Sequence, residues 1–144
     1  MGVIKAICVS EKKGTQKHEI PEAEIVKNWG IKGDAHAGNR HRQVSLLGLE
    51  QIDEFRSRGA KVEFGAFGEN LVVDGFRFRD YPVGTTFKIG DVLLEMTQIG
   101  KECHSLCEIY KVMGDCIMPR EGVFAKVLHG GTVKTGDEIV IKEA

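Results

Sequence analysis

Short apolar runs separated by glycine-rich turns form the hydrophobic pattern of this chain. Segments that are rich in β-forming residues predict strands in the first half at 3–9, 43–47 and 68–75, and the mixed segment 22–29 favours a strand over a short helix. The segment 49–56 has helical spacing instead, and Gly59 follows it as a stop signal. The first half is therefore predicted to contain four strands and one helix.

Two segments in the second half are alike. Residues 84–95 and 131–141 each contain a short strand, a Gly-Asp turn and a longer strand, which predicts a β-hairpin in each. Between them, the spacing of apolar residues predicts helices over 103–113 and 120–128, the second closed by the glycine pair 130–131.

The order of these elements argues against a parallel, doubly wound sheet, because no β–α–β alternation is visible. Eighteen glycines against three prolines favour short strands joined by tight turns, since glycine supplies the positive-φ positions that turns need. We predict a mainly β fold, a closed or nearly closed mixed β-barrel with two or three short inserted helices. No linker or low-complexity tract divides the chain, so residues 1–144 are predicted to form a single domain.

Charge and composition exclude several classes of protein. The formal net charge is −1 over 144 residues, without the basic excess typical of nucleic-acid-binding proteins. No apolar stretch has the length needed to span a bilayer, and the N-terminus lacks a signal-peptide pattern. We therefore expect a cytoplasmic protein that binds neither nucleic acid nor membrane. In that compartment its four cysteines are expected to be reduced, metal-bound or catalytic.

Cys103 has the most chemistry around it. It follows an apolar run, 92–99, at a predicted helix start, with Lys101 and His104 beside it. A thiol in such surroundings becomes a thiolate at neutral pH, and a thiolate is both a nucleophile and a soft metal ligand. Cys8, by contrast, lies in an apolar strand and is predicted to be a small buried hydrophobe.

Two further thiols leave the role of Cys103 open at this point. Cys107 lies four residues on, on the same face of the predicted helix, where it could resolve an oxidised Cys103. With Cys116 and His104, these thiols could instead form a structural zinc site, although the spacing lacks the close pairs of zinc ribbons and fingers. A nucleophile, a redox pair and a zinc site are the three alternatives.

The loop at 30–43 is rich in glycine and contains four cationic or potentially cationic residues: His36, Arg40, His41 and Arg42. Such a loop suits an anionic group, either a phosphate or a metal oxyanion, because glycines let backbone amides approach a ligand closely. The alternative is a solvated turn in which Asp34 binds local backbone donors. Asp34 and His36 are also possible metal ligands, but two residues alone do not make a site.

Two other segments offer polar residues. Asn70 could bind the amide or carbonyl of a ligand and Glu69 could pair with an arginine of the loop, or both could form an ordinary polar pair on an edge strand. Pro119 fits a helix start, which would place Arg120 at an anion-binding N-terminus; an exposed arginine is the commoner case.

Taken together, these motifs resemble the MOSC family, the domain found at the C-terminal end of molybdenum-cofactor sulfurases and as small stand-alone bacterial proteins. The resemblance covers most of the chain and rests on five motifs in order. They are residues 30–38, 42–46, 68–71, Gly84 and Gly90 with the strand after them, and the cysteine segment. Residues 100–128 are similar to the stand-alone subset associated with molybdopterin metabolism.

The resemblance implies a MOSC β-barrel, of the pyruvate-kinase-barrel type, and a pterin-bound molybdenum or tungsten centre as ligand. It places the family's key cysteine at Cys103, which in sulfurases carries a persulfide loaded by a pyridoxal-phosphate-dependent desulfurase. In related amidoxime-reducing enzymes the equivalent cysteine ligates molybdenum. The family commonly has Arg and Pro at the two positions that are occupied by Lys101 and Glu102 here.

Residues and resemblance together give one set of expectations. Cys103 is the expected catalytic thiol, sulfur carrier or molybdenum ligand, with Cys107 and Cys116 as secondary thiols. The expected cofactor-binding residues are Asp34, His36, Arg40, Arg42, Asn70, Lys101 and Arg120. The expected partners are a cysteine desulfurase, which brings its own pyridoxal phosphate, and molybdenum or tungsten enzymes or proteins of cofactor biosynthesis. The alternatives are a non-catalytic molybdopterin- or oxyanion-binding module and a structural zinc protein.

Overall fold

The computed structural model describes residues 2–12, 16–59, 61–100 and 121–142. In chain order its strands are β1 (Gly2–Val9), β2 (His18–Ile20), β3 (Glu22–Val26), β4 (Gly30–Ile31), β5 (Val44–Gly48), β6 (Leu71–Asp74), β7 (Thr86–Ile89), β8 (Val92–Ile99), β9 (Val123–His129), β10 (Gly131–Lys134) and β11 (Glu138–Ile141). Helix α1 spans Leu49–Ser57, and a 3-10 turn covers Phe78–Asp80. Within the described ranges, no helix has the length and apolar character needed to cross a membrane.

Seven strands close into a barrel. Their order is β11-β7-β8-β9-β5-β6-β1, and β11 also pairs with β1, where Gly2 lies opposite Ile139. β2 extends this sheet beyond β1, while β10, β3 and β4 form a second, three-stranded sheet. Closure pairs strands whose backbone groups would otherwise be left at exposed edges. The predicted mixed β-barrel is confirmed.

One β–α–β connection gives the barrel its mixed strand direction. β5 and β6 are parallel neighbours, with Leu46 opposite Leu71, and α1 joins them. The helix buries Ile52 and Phe55 as its spacing predicts, and Gly59, with φ of +99°, follows its end. No β–α–β alternation is visible in the sequence, yet the described residues contain this one β–α–β unit.

Two apolar clusters stabilise the fold. The larger one contains alternate residues of the barrel strands together with rings such as Phe78 and Phe87, whose centroids are 5.3 Å apart. The smaller one joins Ile52 and Phe55 of α1 to side chains of β1, β5 and β6. Because α1 covers the outer face there, β1 alternates between buried and exposed residues at its start but is buried on both faces from Ala6 onward.

The helix predicted over 120–128 is wrong, because Val123–His129 form strand β9. β9 lies between β8 and β5, and Val123 is opposite both Ile99 and Leu46. A strand covered on both faces has a nearly continuous apolar sequence, which periodicity alone does not distinguish from a buried helix. The helix predicted over 103–113 lies outside the described residues.

One of the two predicted hairpins is confirmed. β7 and β8 pair across the Gly90-Asp91 turn, with Ile89 opposite Val92. The second prediction is wrong, because β10 pairs with β3 whereas β11 pairs with β7 and β1. The turn between β10 and β11 bonds to β1 instead: the Gly136 amide donates to the Ile4 carbonyl at 2.8 Å. This contact directs the two strands into different sheets.

Candidate functional site

A buried ion pair forms the base of the candidate site. Nζ of Lys17 lies 2.6 Å from Oδ1 of Asp34, and both side chains are almost completely buried. Lys17 directly precedes β2, whose pairing with β1 places His18 opposite Val9, so the lysine side chain reaches Ser10 just beyond β1. Asp34 follows β4 and also accepts a hydrogen bond from the Ser10 amide at 3.1 Å. The aspartate therefore lies in a buried network and not in a solvated turn.

Asn70 supports Asp34 from the wall of the barrel. It precedes β6, and its Nδ2 donates to Oδ2 of Asp34 at 3.2 Å and to the Cys8 carbonyl at 3.0 Å. Its Oδ1 accepts a hydrogen bond from the Ser45 amide on β5 at 2.9 Å. Both ends of the side-chain amide are thus occupied by the protein, which fixes the amide's orientation.

His36 connects this buried network to the surface. Its ring is exposed, and Nδ1 lies 3.0 Å from Nζ of Lys17. The guanidinium of Arg40 donates to the backbone carbonyl of His36, which curls the loop back on itself. The Gly38 amide donates to the Trp29 carbonyl at 2.8 Å and holds the loop against the turn that follows β3.

The four exposed cationic or potentially cationic residues of this loop, here called the cationic loop, are His36, Arg40, His41 and Arg42. The loop is also attached to strand β8: Nε2 of His41 and Oε1 of Gln98 are 2.7 Å apart. Nε2 of Gln98 donates in turn to the Gly100 carbonyl at 2.8 Å. The guanidinium of Arg42 lies 5.6 Å from the ring centroid of Phe124 on β9, within cation–π distance.

The chain leaves the described ranges after Gly100 and re-enters at Glu121, and these two points are adjacent. The Gly100 amide donates to the Gly122 carbonyl at 2.6 Å. Glu121 is buried and binds Arg77 through two hydrogen bonds, of 2.9 and 3.1 Å, and Arg79 at 3.3 Å. Burial opposes ionisation, but the hydrogen bonds from Arg77 and Arg79 hold the pKa of Glu121 below its usual value. The described residues before and after the cysteine-containing segment are therefore fixed to the barrel.

Glu69 is a buried carboxyl with an incomplete set of partners. Its Oε1 accepts a hydrogen bond from the Phe67 amide at 3.0 Å, whereas its buried Oε2 has no hydrogen-bond partner among the described residues. Neither Arg40 nor Arg42 forms the ion pair with it that the sequence suggested. Burial raises the pKa of Glu69 to about 7, so this carboxyl is partly protonated at neutral pH.

Cys8 is an inert thiol. It is fully buried, as predicted, and burial raises the pKa of the thiol to about 12. A thiol that stays protonated is neither a nucleophile nor a metal ligand at neutral pH. In the part of the chain that the structure describes, no group of three or more His, Cys, Asp or Glu side chains could hold a metal ion.

The structure brings Asp34, His36 and Asn70 into one network and places Arg40 and Arg42 on the loop beside it. The other expected site residues lie outside the described ranges: Lys101, Cys103, Cys107, Cys116 and Arg120, together with His104 of the zinc alternative.

Lys17, the centre of the network, was not predicted from the sequence. Lys17 lies in the polar stretch 11–18, whose composition predicts a loop. Its burial depends on the pairing of β1 with β2. Ser45 was inside a recognised motif, but only the fold shows its bond to Asn70. A pattern along the chain does not report contacts between segments that are distant in sequence.

A family model described as the MOSC domain matches residues 33–140, more than half of the chain. The chain belongs to the MOSC family. The resemblance inferred from the sequence is thereby confirmed, and this family is associated with molybdenum-cofactor-related sulfur chemistry. Asp34, His36 and Asn70 fall within the matched range, whereas Lys17 precedes it.

Solved structures share the MOSC fold. The YuaD protein from Bacillus subtilis matches with a TM-score of 0.79 at 18% identity, covering 96% of this chain and 94% of that one. YiiM from Geobacillus stearothermophilus matches with a TM-score of 0.74 at 21% identity, covering 99% of this chain and 76% of that one. At these identities the likeness shows the fold alone.

A curated relative named "Reductase", from Gibberella moniliformis (strain M3125 / FGSC 7600), is 28% identical over 141 residues. The match covers 89% of this MOSC chain but only 25% of the relative, so the chain spans about a quarter of the relative's length.

The buried carboxyl of Glu69 predicts an unusual dependence of stability on pH. The folded protein keeps this proton up to a pH of about 7, whereas an ordinary glutamate loses it near 4.5. The free energy of unfolding should therefore fall as the pH rises from 4.5 to about 7, by on the order of 3 kcal/mol, and then stay level. Glu69→Gln should remove this fall and be the more stable form at about pH 8.

Urea unfolding of wild type and Glu69→Gln across this pH range measures the effect. Subtracting the two profiles cancels the contributions of all the other titrating groups. Parallel profiles would show that Glu69 is ionised throughout.

Proposed function

We propose that this MOSC protein is a sulfur carrier for the molybdenum cofactor. In this proposal Cys103 receives sulfur as a persulfide from a pyridoxal-phosphate-dependent cysteine desulfurase and delivers it to a pterin-bound molybdenum or tungsten substrate. Membership of the MOSC family supports the general chemistry. The thiolate-favouring neighbours of Cys103 in the sequence support the choice of carrier.

The observation that carries the proposal is the attachment of the cationic loop to Gly100, the last described residue before the segment that contains Cys103. His41 contacts Gln98, and Gln98 contacts Gly100, so the loop lies one side chain away from the residue that leads toward Cys103. Three residues can extend over at most about 11 Å between Cα atoms, so the proposal requires the sulfur to be transferred within that distance of Gly100 plus the length of one cysteine side chain. The anion-binding site and the reactive thiol would then lie at the same end of the barrel.

The described residues fit the anionic part of such a substrate. Arg40 and Arg42 are exposed on one loop and would hold phosphate or oxyanion oxygens, while His36 adds a third polar group. They do not supply soft ligands, since Cys8 is protonated and buried and the described ranges lack a metal-binding cluster. A soft thiolate at the metal would thus be Cys103. When bound, the cofactor supplies the metal that accepts the sulfur.

The transfer steps balance with thiols alone. The Cys103 thiolate attacks the terminal sulfur of the desulfurase persulfide, one S–S bond forms, and the desulfurase thiolate leaves. Releasing that sulfur as sulfide requires two electrons. A second thiol, Cys107 or Cys116, supplies them by attacking the inner sulfur of Cys103 and forming a disulfide. The secondary cysteines therefore have a role as the reductant.

Persulfide loading tests the carrier role. Incubation with a cysteine desulfurase and L-cysteine should add one sulfur atom to Cys103, because it is the thiol whose neighbours favour a thiolate. Cys8→Ala, the matched control, should be loaded like wild type, since the Cys8 thiol stays protonated. Intact-mass analysis with peptide mapping measures the loading.

Cys103→Ala should lose the added sulfur, and equal loading of this variant would refute the carrier role. Cys107→Ala and Cys116→Ala separate the two steps. The variant that lacks the reducing thiol should accept sulfur like wild type but release less sulfide.

Anion affinity tests the cationic loop. Arg42→Ala should weaken the binding of molybdate about tenfold, because one charge-assisted hydrogen-bond donor is lost. Lys88→Ala is the matched control: Lys88 is an exposed cation on β7, opposite Leu93 and near the other end of β8. Isothermal titration calorimetry measures both. Equal affinities of the Arg42 and Lys88 variants would place the anion elsewhere.

A further inference from the structure

Lys17 has an arrangement that a surface lysine does not have. Its side chain is only 1% exposed, and Nζ is surrounded by Oδ1 of Asp34 at 2.6 Å, Nδ1 of His36 at 3.0 Å and Oγ of Ser10 at 3.4 Å. An ammonium group has three protons and no acceptor site, so each of these atoms receives a proton from Lys17. The shortest of these contacts, to the Asp34 carboxylate, is a salt bridge.

The donation of a Lys17 proton to Nδ1 determines the tautomer of the His36 ring. Because Nδ1 accepts from the ammonium, it carries no proton, and the proton of the neutral imidazole is on Nε2. The two ring nitrogens point in diverging directions, so the Nε2–H bond points away from Lys17. We propose that Lys17 is a positioning residue that fixes His36 as the Nε2–H tautomer, so that the ring donates a hydrogen bond to an anionic oxygen held by the cationic loop. The ligand half of this inference rests on the proposed function; the tautomer half does not.

Lys17 acts through His36 and not by touching the anion. Its ammonium is buried and its three protons are accounted for inside the protein. Asp34 cannot move away from it, because the Ser10 amide holds Oδ1 at 3.1 Å and Asn70 holds Oδ2 at 3.2 Å. The charge of the lysine is balanced below the surface, so what the ligand meets is the oriented ring.

The backbone also fixes the position of Lys17. Gly65, with φ of +92°, lies so close to the lysine that a Cβ atom at this position would be 2.4 Å from the Lys17 carbonyl oxygen. Only a residue without a side chain permits this contact, and the positive φ favours glycine for the same position. The lysine is thus held at its backbone by Gly65 and at its tip by Asp34.

Ring nitrogen shifts test the tautomer directly. In protein labelled with 15N-histidine, long-range 1H–15N correlation should show His36 with an unprotonated Nδ1 and a protonated Nε2, assigned by the loss of its signals in His36→Ala. Lys17→Met/Asp34→Asn removes both charges of the ion pair together, which avoids leaving the aspartate unpaired. In this double variant, the two His36 shifts should move toward the values of a ring that exchanges between tautomers.

A protonated Nδ1 in wild type, or His36 shifts that are unchanged in the double variant, would overturn the proposal. Gly65→Ala keeps every charge, but its Cβ would force the Lys17 backbone or the positive-φ turn at position 65 to shift. It provides a second variant if the double variant does not fold, and it should move the His36 shifts in the same direction.

A double-mutant cycle on molybdate affinity tests whether Lys17 acts through His36. Lys17→Met/Asp34→Asn and His36→Ala should each weaken binding about tenfold, and their combination should weaken it no further. Additive losses would show that Lys17 does not act through the ring and would refute the positioning role. If wild type binds neither molybdate nor inorganic phosphate, the proposed function and the ligand half of this inference both fail, whereas the ring shifts still decide the tautomer.

Discussion

The ion pair between Lys17 and Asp34 is the interaction on which the candidate site depends. Burying two charges is costly, and their attraction offsets this cost only when the geometry is good and the remaining hydrogen-bonding groups are satisfied. Both conditions are met: the pair is 2.6 Å apart, and Ser10, Asn70 and His36 take the remaining positions. Loss of one partner alone typically costs roughly 3–5 kcal/mol, since an uncompensated charge stays buried. The pair therefore couples the stability of the fold to the shape of the site.

The network gathers segments that are far apart in the sequence. Lys17 comes from the connection before β2, Asp34 from the turn after β4, and Asn70 from the start of β6. Backbone pairing places Lys17 and Asn70 through the larger sheet and Asp34 through the three-stranded sheet, and the side chains then fix one another. Because α1 and the second apolar cluster cover the other face of β1, β5 and β6, the strands that supply this network cannot shift independently. A rigid base of this kind suits the anion site that we propose for the cationic loop.

A second feature of the site is the contrast between two neighbouring residues, Glu69 and Asn70. Asn70 has every side-chain hydrogen-bonding group occupied, whereas Glu69 has a buried oxygen without a partner among the described residues. A buried polar atom without a hydrogen-bond partner destabilises the folded state. Here the loop from Gly65 to Gly68 and the strand β6 fix the backbone on both sides, so the carboxyl stays buried at the expense of stability at alkaline pH.

Much of this picture could be predicted from the sequence. The barrel class, helix α1 and the buried Cys8 followed from periodicity and composition, and the motif at 30–38 identified Asp34 and His36. Contacts between segments that are distant in the sequence could not be predicted. The sequence of β9 predicts a helix because this strand is covered on both faces and is therefore apolar throughout. The sequences of β10 and β11 predict a hairpin, although β10 pairs with β3 and β11 pairs with β7. Lys17 escaped notice because nothing next to it in the chain shows that an aspartate and a histidine surround it in the fold.

In the proposed function, the cationic loop binds the anionic part of a pterin-bound molybdenum or tungsten substrate, and Cys103 delivers sulfur to it. Anaerobic purification followed by metal and pterin analysis, with wild type and Cys103→Ser side by side, tests this function most directly. We expect molybdenum or tungsten and pterin to accompany wild type. In Cys103→Ser the metal content should fall while the pterin content persists, because the loop still binds the anionic part. Stoichiometric zinc without pterin in wild type, or the absence of both metal and pterin, would contradict the account.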